Sequence, residues 1–420
     1  MVVDVIPRAL QTERAQNSEP NIAVNPANPN QIMISAFGPG STVNPLFFSK
    51  DGGKTWALHQ YIATSDTSLA WGSGGNAYLA NLSMSGSTMA AWKAARPALG
   101  RRFAPLSRSS YRPRGYGPDQ PWIEVGIGNG ADRIYVAFND LSQPSQTASI
   151  RYSLDRGLTW RNVVIERGIP GDNSDGAAVR VLASGDKVYA AFERFNAAEA
   201  NGDERGDVVI VRDDAAGSGG FVALGSAGET VASNVVFPQG FLGQERLGSD
   251  LSIAVDPGDS NRVAVAFAAV LDGHPIVVLK VSTNRGADWQ QVFAGPSDSA
   301  LPAVAIARNG TIGLLYTSYS AGNLESHFAQ FPRLPDAYSE EVLSRFGDQS
   351  LVSDFDPFVG DYQDLVAVGN VFFGTFSASN DARLFPKPPI LLRAATKLGV
   401  SVPFSIDPYF FKATAIGHSL

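Results

Sequence analysis

One short string recurs three times in this chain and constrains its fold more than any other feature. It reads SKDGGKTW at 49–56, SLDRGLTW at 153–160 and STNRGADW at 282–289. Each copy ends in a tryptophan: Trp56, Trp160 and Trp289. Each has Asp or Asn at the third position (Asp51, Asp155, Asn284) and glycine at the fifth (Gly53, Gly157, Gly286). Each follows an apolar alternating stretch, PLFFS, SIRYS and VVLKVS. The string reads as a β-hairpin turn. Ser and Asp side chains bond the loop's own amides, glycine supplies the positive φ of a tight hairpin, and tryptophan packs between neighbouring sheets. Three copies with the same downstream tryptophan specify a repeated β unit.

A second pattern precedes these turns. SEPNIAVNPANPNQIMISAF from Ser18, DQPWIEVGIGNGADRIYVAF from Asp119 and SDLSIAVDPGDSNRVAVAF from Ser249 each read strand, Gly/Asn/Pro turn, strand. Looser copies begin at Ser65, Ser174, Ser299 and Gly360. The openings near 18, 65, 119, 174, 249, 299 and 360 recur every 50 to 75 residues, the span of four strands plus loops. The 42 glycines and 26 prolines among 420 residues fit a chain of many turns and exclude a helical bundle. Zero cysteines exclude disulfide scaffolds, thiolate zinc sites and cysteine nucleophiles. The expectation is an all-β chain, residues 1–420 forming a single β-propeller of four-stranded blades. Seven openings favour seven blades, and six fit if residues 360–420 are not a full blade. The segment VVDVIPRAL is expected to complete the last blade, and ILLRAATKL and VSVPFSI to supply outer strands.

The three strings resemble Asp-boxes, the S-x-D-x-G-x-T-W motif (BNR repeat) of sialidase-type β-propellers. The third copy departs from that pattern, with Asn284 for Asp and Asp288 for Thr. The resemblance implies a structural role for the boxes at the blade periphery. It implies a carbohydrate-active protein, and a secreted or periplasmic one, although the start MVVDVIPRALQTERAQ has no signal-peptide pattern.

Chemistry in a propeller is expected at the axial mouth, just before each innermost strand. Glu19, Asp66, Asp119, Asp175 and Asp250 stand there, with Asp361 or Asp364 in the last unit. Only the opening at Ser299 lacks a carboxylate. These groups can cap their loops by accepting backbone N–H bonds, or can line a mouth that does acid–base work on a glycoside or holds a hard cation. Arg14, Arg114 and Arg246 precede three openings, two of them as Glu13-Arg14 and Glu245-Arg246. Sialidases grip a substrate carboxylate with three arginines, whose rigid forks suit that task. The same resemblance implies an aspartate acid, matched by position to Asp66, and a Tyr–Glu pair, matched to Glu245 with Tyr362, Tyr316 or Tyr319. Asp119 and Asp250 join the three arginines as expected substrate-binding residues. The family's F/Y-R-I-P start is absent.

Charge sharpens the picture. The net charge is −7, yet residues 93–118 hold seven basic residues and no acidic one. A positive segment on an acidic protein points to an anionic ligand, or to a solvated loop. The expected partner is a carbohydrate, anionic in the leading reading, and not nucleic acid. No apolar run is long enough to span a bilayer. No cofactor is expected beyond a structural calcium that SDFDPFVGDYQD (353–364) could hold. The four histidines show no metal-ligand spacing. The leading function is a sialidase-like glycoside hydrolase on an anionic glycan. The alternatives are a non-catalytic glycan- or protein-binding propeller and a polysaccharide lyase using His274 or His327.

Overall fold

The computed structural model describes residues 1–7, 10, 17–38, 43–64, 66–83, 88–110, 117–128, 130–141, 147–167, 177–238, 251–333, 337–348, 359–380, 395–397, 400–402 and 406–417. Seven four-stranded antiparallel sheets stand in a ring, forming a β-propeller. Their innermost strands are Asn21–Val24, Thr67–Trp71, Pro118–Gly128, Ala177–Ser184, Leu251–Val255, Ser299–Ile306 and Asp364–Val368. We number the blades 1 to 7 in that order. In blades 1 to 6 the chain runs outward from the axis through three consecutive hairpins.

Blade 7 closes the ring by joining the two ends of the chain. From the axis outward it holds Asp364–Val368, Val371–Ser379, Ile406–Thr414 and Val2–Asp4. Val2 pairs with Phe411, Val3 with Phe410 and Asp4 with Tyr409. The N-terminal segment thus supplies the outer strand as expected. The tail differs: Ala395–Lys397 and Val400–Val402 pair with each other in a separate two-stranded sheet, and the third strand of blade 7 is Ile406–Thr414. That run, IDPYFFKAT, carries the aromatics that the blade junctions need.

Side chains from facing blades interlock to form the core. Phe328, Phe372, Phe376, Tyr409 and Phe411 fill the space between blades 6 and 7. Ile22, Ile34, Phe47, Trp56, Phe373 and Phe410 fill that between blades 7 and 1. Each such fully buried side chain stabilises the fold by about 1.5–3 kcal/mol. Alanines at 254, 264 and 266 let blades 5 and 6 approach closely.

The boxes sit between the third and fourth strands of blades 1, 3 and 5. In the first, Gly53 N–H donates to Ser49 Oγ (2.9 Å), and Ser49 Oγ donates to Asp51 Oδ1 (2.8 Å). Asp51 also accepts from Thr55 N and Thr55 Oγ1, and Trp56 Nε1 donates to Gly53 O. Blade 3 repeats this through Ser153, Asp155, Gly157, Thr159 and Trp160. Blade 5 keeps it despite its changed residues, because Asn284 Nδ2 donates to Asp288 Oδ2 at 2.6 Å. Donor and acceptor have exchanged places and the turn is unchanged. Gly53 has φ 88°, and a Cβ there would stand 2.0 Å from Phe410.

Candidate active site at the axial mouth

The innermost strand of a blade is a sheet edge, and its outward N–H groups need partners. Polar side chains of the preceding blade supply them. Ile22 N–H donates to Asp364 Oδ2 (3.0 Å), Leu69 N–H to Asn21 Oδ1 (2.6 Å), Ile123 N–H to Ser68 Oγ (2.9 Å) and Val304 N–H to Ser252 Oγ (3.0 Å). Glu124 of blade 3 takes a backbone hydrogen bond from Ala183 of blade 4. Short polar residues inside apolar inner strands therefore stitch blade to blade around the axis.

At two positions this polar ring becomes titratable. Glu124 and Asp364 lie deep in the ring, close enough for the charge of Asp364 to disfavour ionisation of Glu124. Burial raises Glu124 to about 8, against the hydrogen bond from Ala183. Burial likewise raises Asp364 to about 7, although Ile22 and Leu365 donate to it and Arg180 faces it. Glu124 and Trp122 are only partly buried, so both border the axial channel. Arg180 is 2% exposed. Its guanidinium lies 4.2 Å from the Trp122 ring centre and 5.9 Å from that of Tyr362, and the two rings meet edge to face. A cation sandwiched by aromatic rings is stabilised where water is scarce.

Above this cluster stand the mouth residues. Asp361 N–H donates to Glu19 Oε1 (3.3 Å), and Gln120 N–H donates to Asp66 Oδ2 (3.2 Å). Burial first, then the charges of Glu19, Asp66 and Asp361, raise the Tyr362 phenol well above its ordinary range, with Arg180 acting the other way. Glu19 just before its inner strand, and Gln120 and Leu301 at the register breaks near the start of theirs, have positive φ (51°, 46° and 56°). Left-handed backbone at non-glycine residues is costly and clusters at functional sites. Gly360, at φ 94°, lets Glu19 pack directly on the backbone: a Cβ there would lie 2.2 Å from Glu19 Cγ.

Of the residues expected from sequence, Asp66 and Asp119 are found at the mouth, partly exposed, and Tyr362 just below them, 4% exposed. Tyr316 instead packs between blades 5 and 6, donating to Glu340, and Tyr319 donates to Asp348. Arg14, Arg114, Arg246, Glu245, Asp175 and Asp250 lie outside the described residues, as does 353–358 of the aspartate-rich segment. Among the described residues no group of three potential ligands is arranged to hold a metal ion. His327 is buried against Ser318 and Glu340, and His274 pairs with Asp298 on the surface. Sequence reading missed Trp122, Glu124 and Arg180. The signal was a charge inside an inner strand, as in PWIEVGIG and AAVRVLAS.

Comparison with known proteins agrees on the fold. The BNR/Asp-box repeat model matches residues 47–58. No curated protein matches the sequence significantly. Among solved structures, an ulvan lyase of a new polysaccharide lyase family, bound to -[GlcA(1-4)Rha3S]-, superposes with a TM-score of 0.52 at 11% identity, over 86% of this chain and 92% of that one. An α-L-arabinofuranosidase from Fusarium graminearum gives 0.48 at 12% identity, over 97% and 96%. An α-L-arabinanase from Penicillium chrysogenum gives 0.46 at 11%, over 98% of each chain. None of the described helices is long and apolar enough to cross a membrane. The repeat match, the hydrogen-bonded boxes and the ring of seven blades together make this chain an Asp-box β-propeller.

Proposed function

We propose that the axial mouth is the active site of a glycoside hydrolase, and that its substrate is an anionic glycan. The observation that carries this reading is the pair of carboxyl groups at the axis that burial lifts far above the ordinary carboxylate range, Glu124 to about 8 and Asp364 to about 7, beside Arg180 and the partly exposed Asp66. A general acid for glycoside cleavage must hold its proton at working pH, while a second carboxylate stays ionised. Glu124, bordering the channel, fits the acid, and the partly exposed Asp66 fits the carboxylate. In its protonated form Glu124 adds no negative charge for an acidic sugar to meet. Arg14, Arg114 and Arg246 are proposed to bind its acid group, with Asp119 and Asp250 beside them, and Glu245 to assist Tyr362. An ulvan lyase of this fold is bound to a glycan containing GlcA, which supports an acidic saccharide as the substrate class. A carbohydrate substrate agrees with the secreted or periplasmic setting, which we likewise propose.

The burial of Tyr362, at 4% exposure, favours a second reading, a non-catalytic glycan-binding propeller, because a nucleophile must be reached by substrate. Fluorogenic sialosides and uronides separate the two. Turnover that falls by 10²-fold or more in both Asp66→Asn and Glu124→Gln supports the hydrolase, that being the usual contribution of a positioned acid or base. No turnover by the unaltered protein on any of these substrates, together with glycan binding, supports the binding module.

A further inference from the structure

The basic segment is unused by the axial site, and its placement is informative. Its described part contains Lys93, Arg96, Arg101, Arg102 and Arg108. Lys93 ends the third strand of blade 2 (Thr88–Ala95), Arg96, Arg101 and Arg102 lie in the turn that follows, and Arg108 lies on the outermost strand, Ala104–Ser110. The register gives the direction of climb. Ala104 pairs with Lys93 at the base, and Ser110 pairs with Thr88 at the top. That top edge is the mouth end, since Thr88 bonds Ser83 and the neighbouring Leu82 bonds Asp66 O. Lys93, Arg96, Arg101 and Arg102 therefore gather at the base of blade 2, and Arg108 stands above them on the outer strand that leads towards the axial mouth.

Six arginines elsewhere in the molecule are held differently. Arg133, Arg194, Arg205, Arg212, Arg262 and Arg345 are each ion-paired with a carboxylate. Among the described residues, Lys93, Arg96, Arg101, Arg102 and Arg108 have no carboxylate partner. Arg96, Arg101, Arg102 and Arg108 are exposed. Arg108 is held over the Trp92 ring at 5.9 Å, which orients its fork without using its charge. Lys50 of blade 1 adds another exposed cation across the junction. His59, wedged between Phe48 and Phe103, is kept neutral by burial, and the charges of Arg102 and Lys50 act in the same direction. Unpaired like charges held together repel one another, a cost that a polyanion relieves.

We propose that the outer wall of blade 2, from Arg96, Arg101 and Arg102 through Arg108, is a binding track for a linear anionic polysaccharide, guiding the chain towards the axial mouth. The assignment rests on the carbohydrate reading of that mouth. The wall is narrow and one strand long, about 20 Å at the usual rise per residue, which suits an extended polymer of spaced acid groups.

The test measures binding of polygalacturonate and heparin by the full chain and by Arg101→Glu/Arg102→Glu/Arg108→Glu. Retention is followed against salt, with the thermal midpoint as a check on folding. The wall variant is expected to bind at least tenfold more weakly and to lose most of its salt dependence, because exposed charges are screened within about 3 Å at 1 M salt. Turnover of small fluorogenic glycosides should be unchanged in that variant, and Asp66→Asn should keep full polymer binding. Equal binding by the wall variant, or equal binding of neutral dextran, overturns the proposal. So does tighter binding of duplex DNA or phosphatidylglycerol vesicles than of either polysaccharide. If no glycoside is turned over while the wall variant loses polymer binding, the hydrolase reading fails and the track stands.

Discussion

Carboxyl groups at the axis and at the rim of this propeller are perturbed in opposite directions. At the axis, burial lifts Glu124 to about 8 and Asp364 to about 7. At the rim, hydrogen bonds from Thr159, then Ser153, hold Asp155 down at about 2. Asp51 is slightly buried, which pushes it up, but hydrogen bonds from Thr55 and Ser49 outweigh this and leave it below its ordinary value. The rim aspartates are thus fixed acceptors that close a turn. The axial pair can carry or release a proton in the range where enzymes work. The same side-chain chemistry serves architecture in one place and is available for reaction in the other.

The strongest way to break this contrast is to remove the axial cation. Arg180→Met keeps the volume but leaves Tyr362, Trp122 and the acid pair without their positive charge. We expect a loss of about 2–4 kcal/mol, since a desolvated cation–π contact is worth about 2 kcal/mol and Arg180 faces two rings, measured by denaturant unfolding. Gly360→Ala forces a side chain into Glu19 at a positive-φ position and should cost about 1–3 kcal/mol, with activity falling alongside because Glu19 is displaced.

Stability against pH offers a finer test. Glu124 and Asp364 keep protons in the folded state that the unfolded chain releases near pH 4, so stability should fall as pH rises from about 4 towards 8. Glu124→Gln should flatten part of that decline in thermal unfolding. Asp155 has the opposite sign. Its contribution is present above the unfolded value near 4 and is lost as pH falls towards 2. Asp155→Asn should therefore lower stability by a constant amount above pH 4, without changing the slope there, and should remove the Asp155 share of the acid limb below pH 4. The smallest effect is expected from Asn284→Asp/Asp288→Thr, which restores the common box residues. The hydrogen bond already exists with its polarity exchanged, so the thermal midpoint should stay nearly constant.

The fold was highly legible because repetition encodes it. Gly53, Gly157 and Gly286 all need φ near 88°, and Ser49, Ser153 and Ser282 all accept from the glycine four residues on, so the same letters recur. Legibility ended where chemistry replaced letters. Blade 4 has a box of its own in which Asp213 accepts from Ala215, Gly217 and Phe221, doing the work of Ser and Asp together, with Phe221 buried beside the blade junction. No string match reveals it. The axial set was only half legible. Asp66 and Asp361 stand at aligned openings, but Arg180 sits at a register where other blades carry Asn21, Ser68 and Ser252, side chains that only complete the backbone bonding, and Glu124 sits two residues past that register, level with Ala23, Ala70 and Ala254. Alignment locates that register position, and only the ring's geometry brings Glu124, Arg180 and Asp364 together across the axis.

The most direct test of the central claim is the turnover of fluorogenic sialosides and uronides by the unaltered protein, Asp66→Asn and Glu124→Gln, measured across pH 4–9. The account predicts turnover that declines on the alkaline side as Glu124 loses its proton near pH 8, and that drops by 10²-fold or more in each variant. Undiminished turnover in both variants, or an alkaline limb that persists in Glu124→Gln, would contradict it.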